Sequence, residues 1–155
     1  MIRLKLLLQS LLLPLGVGLV SFLAAGGSGN VRSFYQLLPK PEFALPGWLF
    51  SWVWTALYLM MGTSDYLART AVSADGSARK VYLFQLLLNG LWMPVFFRAC
   101  WFGWALVLIG LIALSLVTLI LMLRRSAPLA GWLLVPYLVF MLYAGYLNYA
   151  IIALT

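Results

Sequence analysis

Histidine is absent from this chain of 155 residues, cysteine occurs once, and the acidic residues number three. Each shortage removes a class of chemistry. Without histidine there is no imidazole for haem or zinc and no Ser/His pair for acyl transfer. Cys100, alone, forms neither an intramolecular disulfide nor a CxxC metal or redox pair. Glu42, Asp65 and Asp75 are the whole acidic complement, so an ion-coupled pump or a proton relay has little to work with. No catalytic residue, metal site or obligatory cofactor is assigned.

Charge of either sign is scarce, at 8% of residues, whereas 65% are hydrophobic and the mean hydropathy is +1.05. Soluble domains are about half apolar and a quarter charged. This is the composition of an integral membrane protein. A helix needs about 20 apolar residues to cross a hydrocarbon core of about 30 Å. The apolar runs predict an all-α membrane protein, one domain over 1–155, with five transmembrane helices at 5–25, 47–68, 80–98, 102–123 and 128–153.

The runs are broken by GGSGNVRS, by RTAVSADGSARK, at Arg98 and by RRSAP, and all ten lysines and arginines lie at these breaks or at the N-terminus. The net charge of +7 therefore belongs to the headgroup layer. Nucleic-acid binding needs a continuous basic stripe instead. With the N-terminus inside, Arg3, Lys5, Arg69, Arg79, Lys80, Arg124 and Arg125 lie inside, against Arg32, Lys40 and Arg98 outside. That distribution predicts N-in, C-out for a bacterial plasma membrane. The start, MIRLKLLLQSLLLPLGVGLVSFLAA, resembles a secretory signal, but its apolar stretch at 6–25 exceeds the usual core of about 7–15 residues. A retained first helix is expected, with Gly16 and Gly18 admitting a close neighbour. Asp75 is expected to be solvated in its ADGS turn. Asp65, about 27 Å along the second helix, is expected at the far interface.

What is plentiful is aromatic surface. Trp48, Trp101, Trp104 and Trp132 lie near predicted helix ends and read as interfacial-belt residues. Deeper aromatics fall on faces set by helical spacing. In the second helix Phe50, Trp54, Leu57, Tyr58 and Met61 form one stripe, with Trp48 and Trp52 opposite. In the third, Gln85, Asn89, Trp92 and Phe96 share a face; in the fifth, Tyr137, Met141, Ala144 and Asn148 line up beside Pro136, Phe140, Tyr143 and Leu147. An amide turned to lipid would lose several kcal/mol by transfer estimates, so these faces are expected to turn inward. Such amides serve either helix contacts or a ligand. Pro94 and Pro136 deprive the Gly90 and Trp132 carbonyls of their helical partners, which bends helices and leaves room between them. An aromatic-walled cavity with a few amides suits a flat, mostly apolar molecule.

These residues carry a resemblance. FYQLLPKPEFALPGWLFSWVWTALY at 34–58, QLLLNGLWMPVFF at 85–97 and AGWLLVPYLVFMLYAGYLN at 130–148 are similar, in order and spacing, to the TspO/MBR family of translocator and tryptophan-rich sensory proteins. The resemblance implies five packed helices, usually dimeric, around an internal pocket closed by the long first loop. It implies binding of tetrapyrroles such as protoporphyrin IX, and in animal members of cholesterol and benzodiazepine-type drugs. By position it assigns the pocket to Trp54, Asn89, Trp92, Pro136, Phe140, Ala144 and Asn148, and the lid to Phe43 and Pro46; the faces above add Tyr58 and Phe96. Departures are informative. The family loop KPxWxPP reads KPEFALP here, and Phe140 stands where tryptophan is usual. Light-dependent porphyrin breakdown, found in some bacterial members, implicates pocket indoles that phenylalanine replaces poorly. The sterol pattern is incomplete, since IIALT supplies no base after Leu147 and Tyr149. Tetrapyrrole binding is the expected function, with enzymatic degradation or transport of the same ligand as the alternative. Ala99, Gly103 and Gly110 supply small residues either for a dimer contact or for packing within one subunit.

Overall fold

A computed structural model describes residues 3–71 and 76–155. Asp75 lies outside the described residues. The order of elements is α1 (Leu4–Ala24), α2 (Gly27–Leu37), α3 (Gly47–Thr70), α4 (Gly76–Met93) running into a π-helical turn (Pro94–Arg98), α5 (Phe102–Ser126) and α6 (Pro128–Leu154), with no strand among the described residues. The five long helices lie within a few residues of the expected positions. Four of them, α1, α4 with its π turn, α5 and α6, are long and apolar enough to cross a membrane. At 24 residues α3 is long enough, but it carries Ser51, Thr55, Thr63, Ser64, Asp65 and Arg69 among its aromatics.

Contacts arrange the long helices in a ring in which α3 touches α1 and α6, α5 touches α6 and α4, and α4 closes on α1. The centre is filled by Met61, Leu86, Leu134 and Tyr137, all buried. The helical stripes point as their spacing requires. Leu57, Tyr58 and Met61 of α3, Gln85, Asn89 and Trp92 of α4, Phe96 of the π turn, and Tyr137, Met141, Ala144 and Asn148 of α6 are buried, while Trp48, Trp52, Trp101, Trp104 and Trp132 are exposed.

α1 reverses into α2 through Gly26 and Gly27, whose φ values of 105° and 67° lie in the left-handed region that glycine tolerates. The sequence predicts a break between helices over GGSGNVRS, and GSGN is poor helix-forming material. Packing decides otherwise: Asn30 Nδ2 donates to the Ala25 carbonyl at 2.7 Å and the Phe97 carbonyl at 3.3 Å, and the Phe34 ring meets Phe97 edge-on at 6.0 Å. At Pro94 the chain widens into a π turn, with Ala99 N–H bonding the Pro94 carbonyl, so the missing proline N–H is absorbed by rewinding. Pro136, by contrast, sits exposed in an unbroken α6.

Of the two glycines expected to admit a close neighbour, Gly18 does so, since an added Cβ there would run into the Tyr58 ring, and Gly16, with open space around it, does not. It is Gly62 that brings α3 onto α1, where an added Cβ would stand 2.6 Å from the Ser10 carbonyl oxygen and 2.8 Å from Leu11 Cα. Pro14 leaves that same Ser10 carbonyl without a helical partner.

Candidate functional site

A large cavity, about 660 Å³, lies between the second half of α1, the underside of α2 and the first half of α3. Phe50, Trp54 and Tyr58 form its α3 wall, one helical turn apart, and Tyr35 of α2 and Phe97 of the π turn close it from above and behind. Gly18 supplies the opposite wall, where its missing side chain leaves room for the Tyr58 ring. Leu19, Arg32, Gln36, Ser51 and Thr55 at the rim are exposed, so the cavity opens to the outside beneath α2.

The Trp54 ring is the hub. It lies 5.5 Å from Tyr58, 6.5 Å from Trp92 in a stacked arrangement, and 5.6 Å edge-on from Phe140. Behind it a polar chain crosses the core. Tyr58 Oη donates to Asn89 Oδ1 at 2.9 Å, Asn89 Nδ2 donates to the Tyr137 hydroxyl, and that hydroxyl donates to Gln85 Oε1 at 3.2 Å. Buried amides left unpaired are costly. Here three helices share them, which locks the rotamers of Tyr58 and Asn89 and sets the cavity's inner wall.

The segment at 38–46 is strapped to the end of α2 and to the middle of α6. Tyr35 Oη donates to the Leu45 carbonyl at 2.6 Å, Tyr143 Oη donates to the Phe43 carbonyl at 2.7 Å, and Leu45 N–H donates to Tyr143 Oη at 3.1 Å. Burial, together with the neighbouring Tyr143 hydroxyl, pushes the Tyr35 phenol above its ordinary range. Lys40 Nζ donates to the Tyr35 carbonyl and lies 4.5 Å above the Tyr35 ring.

Of the residues the sequence assigned to the pocket, Trp54 and Tyr58 line this cavity. Asn89 touches it only through Tyr58. Trp92 and Phe96 are stacked at 5.1 Å in the packed core, and Phe140 backs Trp54 and Phe50. Ala144 and Asn148 are buried outside it; Asn148 Nδ2 donates to the Phe102 carbonyl at 2.8 Å, tying α6 to the start of α5. Pro136 faces outward. In the expected lid the Phe43 side chain is 75% exposed and Pro46 is exposed, and the cavity lining passes from Gln36 to Gly47 without a residue of that segment. The sequence reading missed Tyr35, Arg32, Gln36 and Phe97. Phe34 and Tyr35 fell within a matched block, but only an amphipathic α2 over the bundle makes Arg32 and Gln36 neighbours of Trp54.

Comparison with known proteins agrees with this architecture. Residues 10–154 match the TspO/MBR family. The chain is 34% identical over 127 residues to the human Translocator protein, covering 79% of this chain and 75% of the relative. It is 35% identical over 165 aligned positions to Tryptophan-rich protein TspO of Chlorobaculum tepidum, covering 94% and 97%. Protein CrtK of Rhodobacter capsulatus is 29% identical over 140 residues, covering 85% of this chain and 86% of the relative. With a family match over nearly its whole length, and with apolar helices that can cross a bilayer, this integral membrane protein belongs to the TspO/MBR family.

Proposed function

We propose that this protein binds a planar, mostly apolar ligand of the tetrapyrrole class in the cavity between α1, α2 and α3. The cavity itself carries the reading: its volume of about 660 Å³ falls inside the range of about 300–1,000 Å³ of small-molecule sites. Trp54 and Phe50 offer ring faces for stacking. Arg32 and Gln36 at the rim complement acidic substituents on an otherwise apolar ring. The names of the relatives, translocator and tryptophan-rich protein, fit a membrane protein with a ligand.

The same reading takes α3 as a fifth span, its polar residues facing neighbours, and places the N-terminus on the inner side of a bacterial plasma membrane, where seven of the ten basic residues gather. A homodimer is part of it: Gly103 and Gly110 have nothing within 4 Å of an added Cβ, leaving that face of α5 unused within the subunit.

Fluorescence-quench titration of the detergent-solubilised protein with protoporphyrin IX tests the site. Trp54→Ala should weaken binding about tenfold, equivalent to about 1.4 kcal/mol, and Asn148→Ala should leave it unchanged, since Asn148 is outside the cavity. Unchanged affinity in Trp54→Ala overturns the assignment. Arg32→Gln should weaken protoporphyrin IX severalfold yet leave its dimethyl ester unaffected, because the ester has no carboxylate for the guanidinium to pair with. Illumination of the complex, followed by absorbance, separates binding from degradation.

A further inference from the structure

At the other end of the bundle lies a second cavity, of about 210 Å³, between the end of α3, the start of α4 and the end of α5. Its chemistry is unlike that of the aromatic site. Asp65, expected at the far interface, lies near that end of α3 but is buried, with 4% of its surface exposed. Ser10 Oγ donates to its Oδ2 at 2.7 Å, the Arg79 guanidinium pairs with Oδ1, and Arg69 Nη1 stands 3.7 Å from Oδ2. One carboxylate thus faces two guanidinium groups, and the described contacts use only Nη1 of each arginine, out of five N–H donors per guanidinium. Among the described residues the site keeps an excess of positive charge.

Two further features point to an anion. α4 begins at this cavity, with Gly76 and Ala78 on the lining, so the positive end of its dipole is directed there. Tyr82, also on the lining, is 3% exposed, and its buried hydroxyl has no hydrogen-bond partner among the described residues. The Arg79 guanidinium lies 5.9 Å from the centre of its ring. A buried hydroxyl without a partner is costly, and beside two arginines the group that would satisfy it is an acceptor with negative charge.

We infer that this cavity binds a phosphate group, held by Arg69, Arg79 and the Tyr82 hydroxyl at the basic end of the bundle. The volume admits a tetrahedral oxyanion and is too small for a macrocycle. Arg79 is positioned by Asp65, which fixes its guanidinium instead of cancelling it. The phosphate belongs either to a phospholipid headgroup or to a free anion, and the recognising chemistry is shared.

A ligand that binds only the folded state raises its stability with concentration, so thermal unfolding of the full chain in phosphate-free detergent buffer reads the site. One arm adds inorganic phosphate against chloride at equal ionic strength; the other adds phosphatidylglycerol to the micelles against a phosphate-free glycolipid. The unfolding midpoint should rise by several degrees in at least one arm. Response to inorganic phosphate identifies a free anion, and response confined to phosphatidylglycerol identifies a headgroup. Tyr82→Phe, which removes only an unpartnered hydroxyl and should fold, is expected to need about ten times more phosphate or lipid for the same rise, and Arg69→Gln likewise. Neither variant should alter protoporphyrin IX affinity, so this site and the aromatic one fail independently. No rise in either arm, or an equal rise in wild type and Tyr82→Phe, overturns the inference.

Discussion

Gly62→Val is expected to lower stability by about 3 kcal/mol, the upper end of the usual overpacking cost, and to cut the thermal midpoint by about 10 °C. The clash is with main chain: the new Cβ meets the Ser10 carbonyl oxygen at 2.6 Å and Leu11 Cα at 2.8 Å. A side chain can rotate away from such contacts, but a helix backbone can only translate, so α1 must move off α3 as a unit. That movement also stretches the 2.7 Å bond from Ser10 to Asp65 on the same pair of helices. Gly16→Ala is the control. With nothing within 4 Å of its added Cβ, it should be neutral or slightly stabilising, since alanine is favoured over glycine in helices by about 1 kcal/mol. Equal midpoints for Gly62→Val and Gly16→Ala, measured in one detergent, would show that the α1–α3 crossing is not held at backbone contact.

Asp65→Ala should cost nearly as much, about 2–3 kcal/mol, because removing one partner of a buried pair strands the other's charge. The figure stands below the full range for such losses because the Arg69 and Arg79 side chains keep 28% and 30% of their exposure, and water screens part of the stranded charge. Replacing both members, Asp65→Ala with Arg79→Met, should be less destabilising than the sum of the single changes, since Arg69 is then the one guanidinium left without its carboxylate. Thermal or denaturant unfolding of the four proteins checks the cycle. Additivity of the two single changes would mean that Arg79 does not answer to Asp65, and the electrostatic account of this end of the bundle would fall.

The helix positions and their inward faces were legible in the sequence for a simple reason. Apolar run length reports a span, and in a helix the 3.6-residue period leaves an amide such as Gln85 or Asn89 one sheltered direction to point. The stripe from Trp54 to Tyr58 was readable on the same grounds, and both residues line the main cavity. The rest of the site was not. Asn89, Trp92 and Asn148 were right about burial and silent about destination, because a buried amide looks the same in sequence whether it faces a ligand, a tyrosine or a backbone carbonyl. α2 escaped notice because its residues become helical only when Phe34 and Asn30 find Phe97.

Asp65 shows the limit most clearly. Distance along α3 correctly put it near the helix end, but pairing with Arg69, Arg79 and Ser10 is decided by which helices meet there.

By itself, the sequence determined that this is a membrane protein made of helices, where those helices run, which faces they hide, and to which family it is similar. All but the last follow from periodicity and composition along one segment at a time, and the family likeness from motif blocks matched in order and spacing. Only the tertiary structure decided where the hollow lies, that α2 roofs it, that Gly62 and not Gly16 carries the tight crossing, and that a buried carboxylate organises two arginines at the opposite end. Each of those depends on which segments come together, and no single stretch of chain encodes its neighbours.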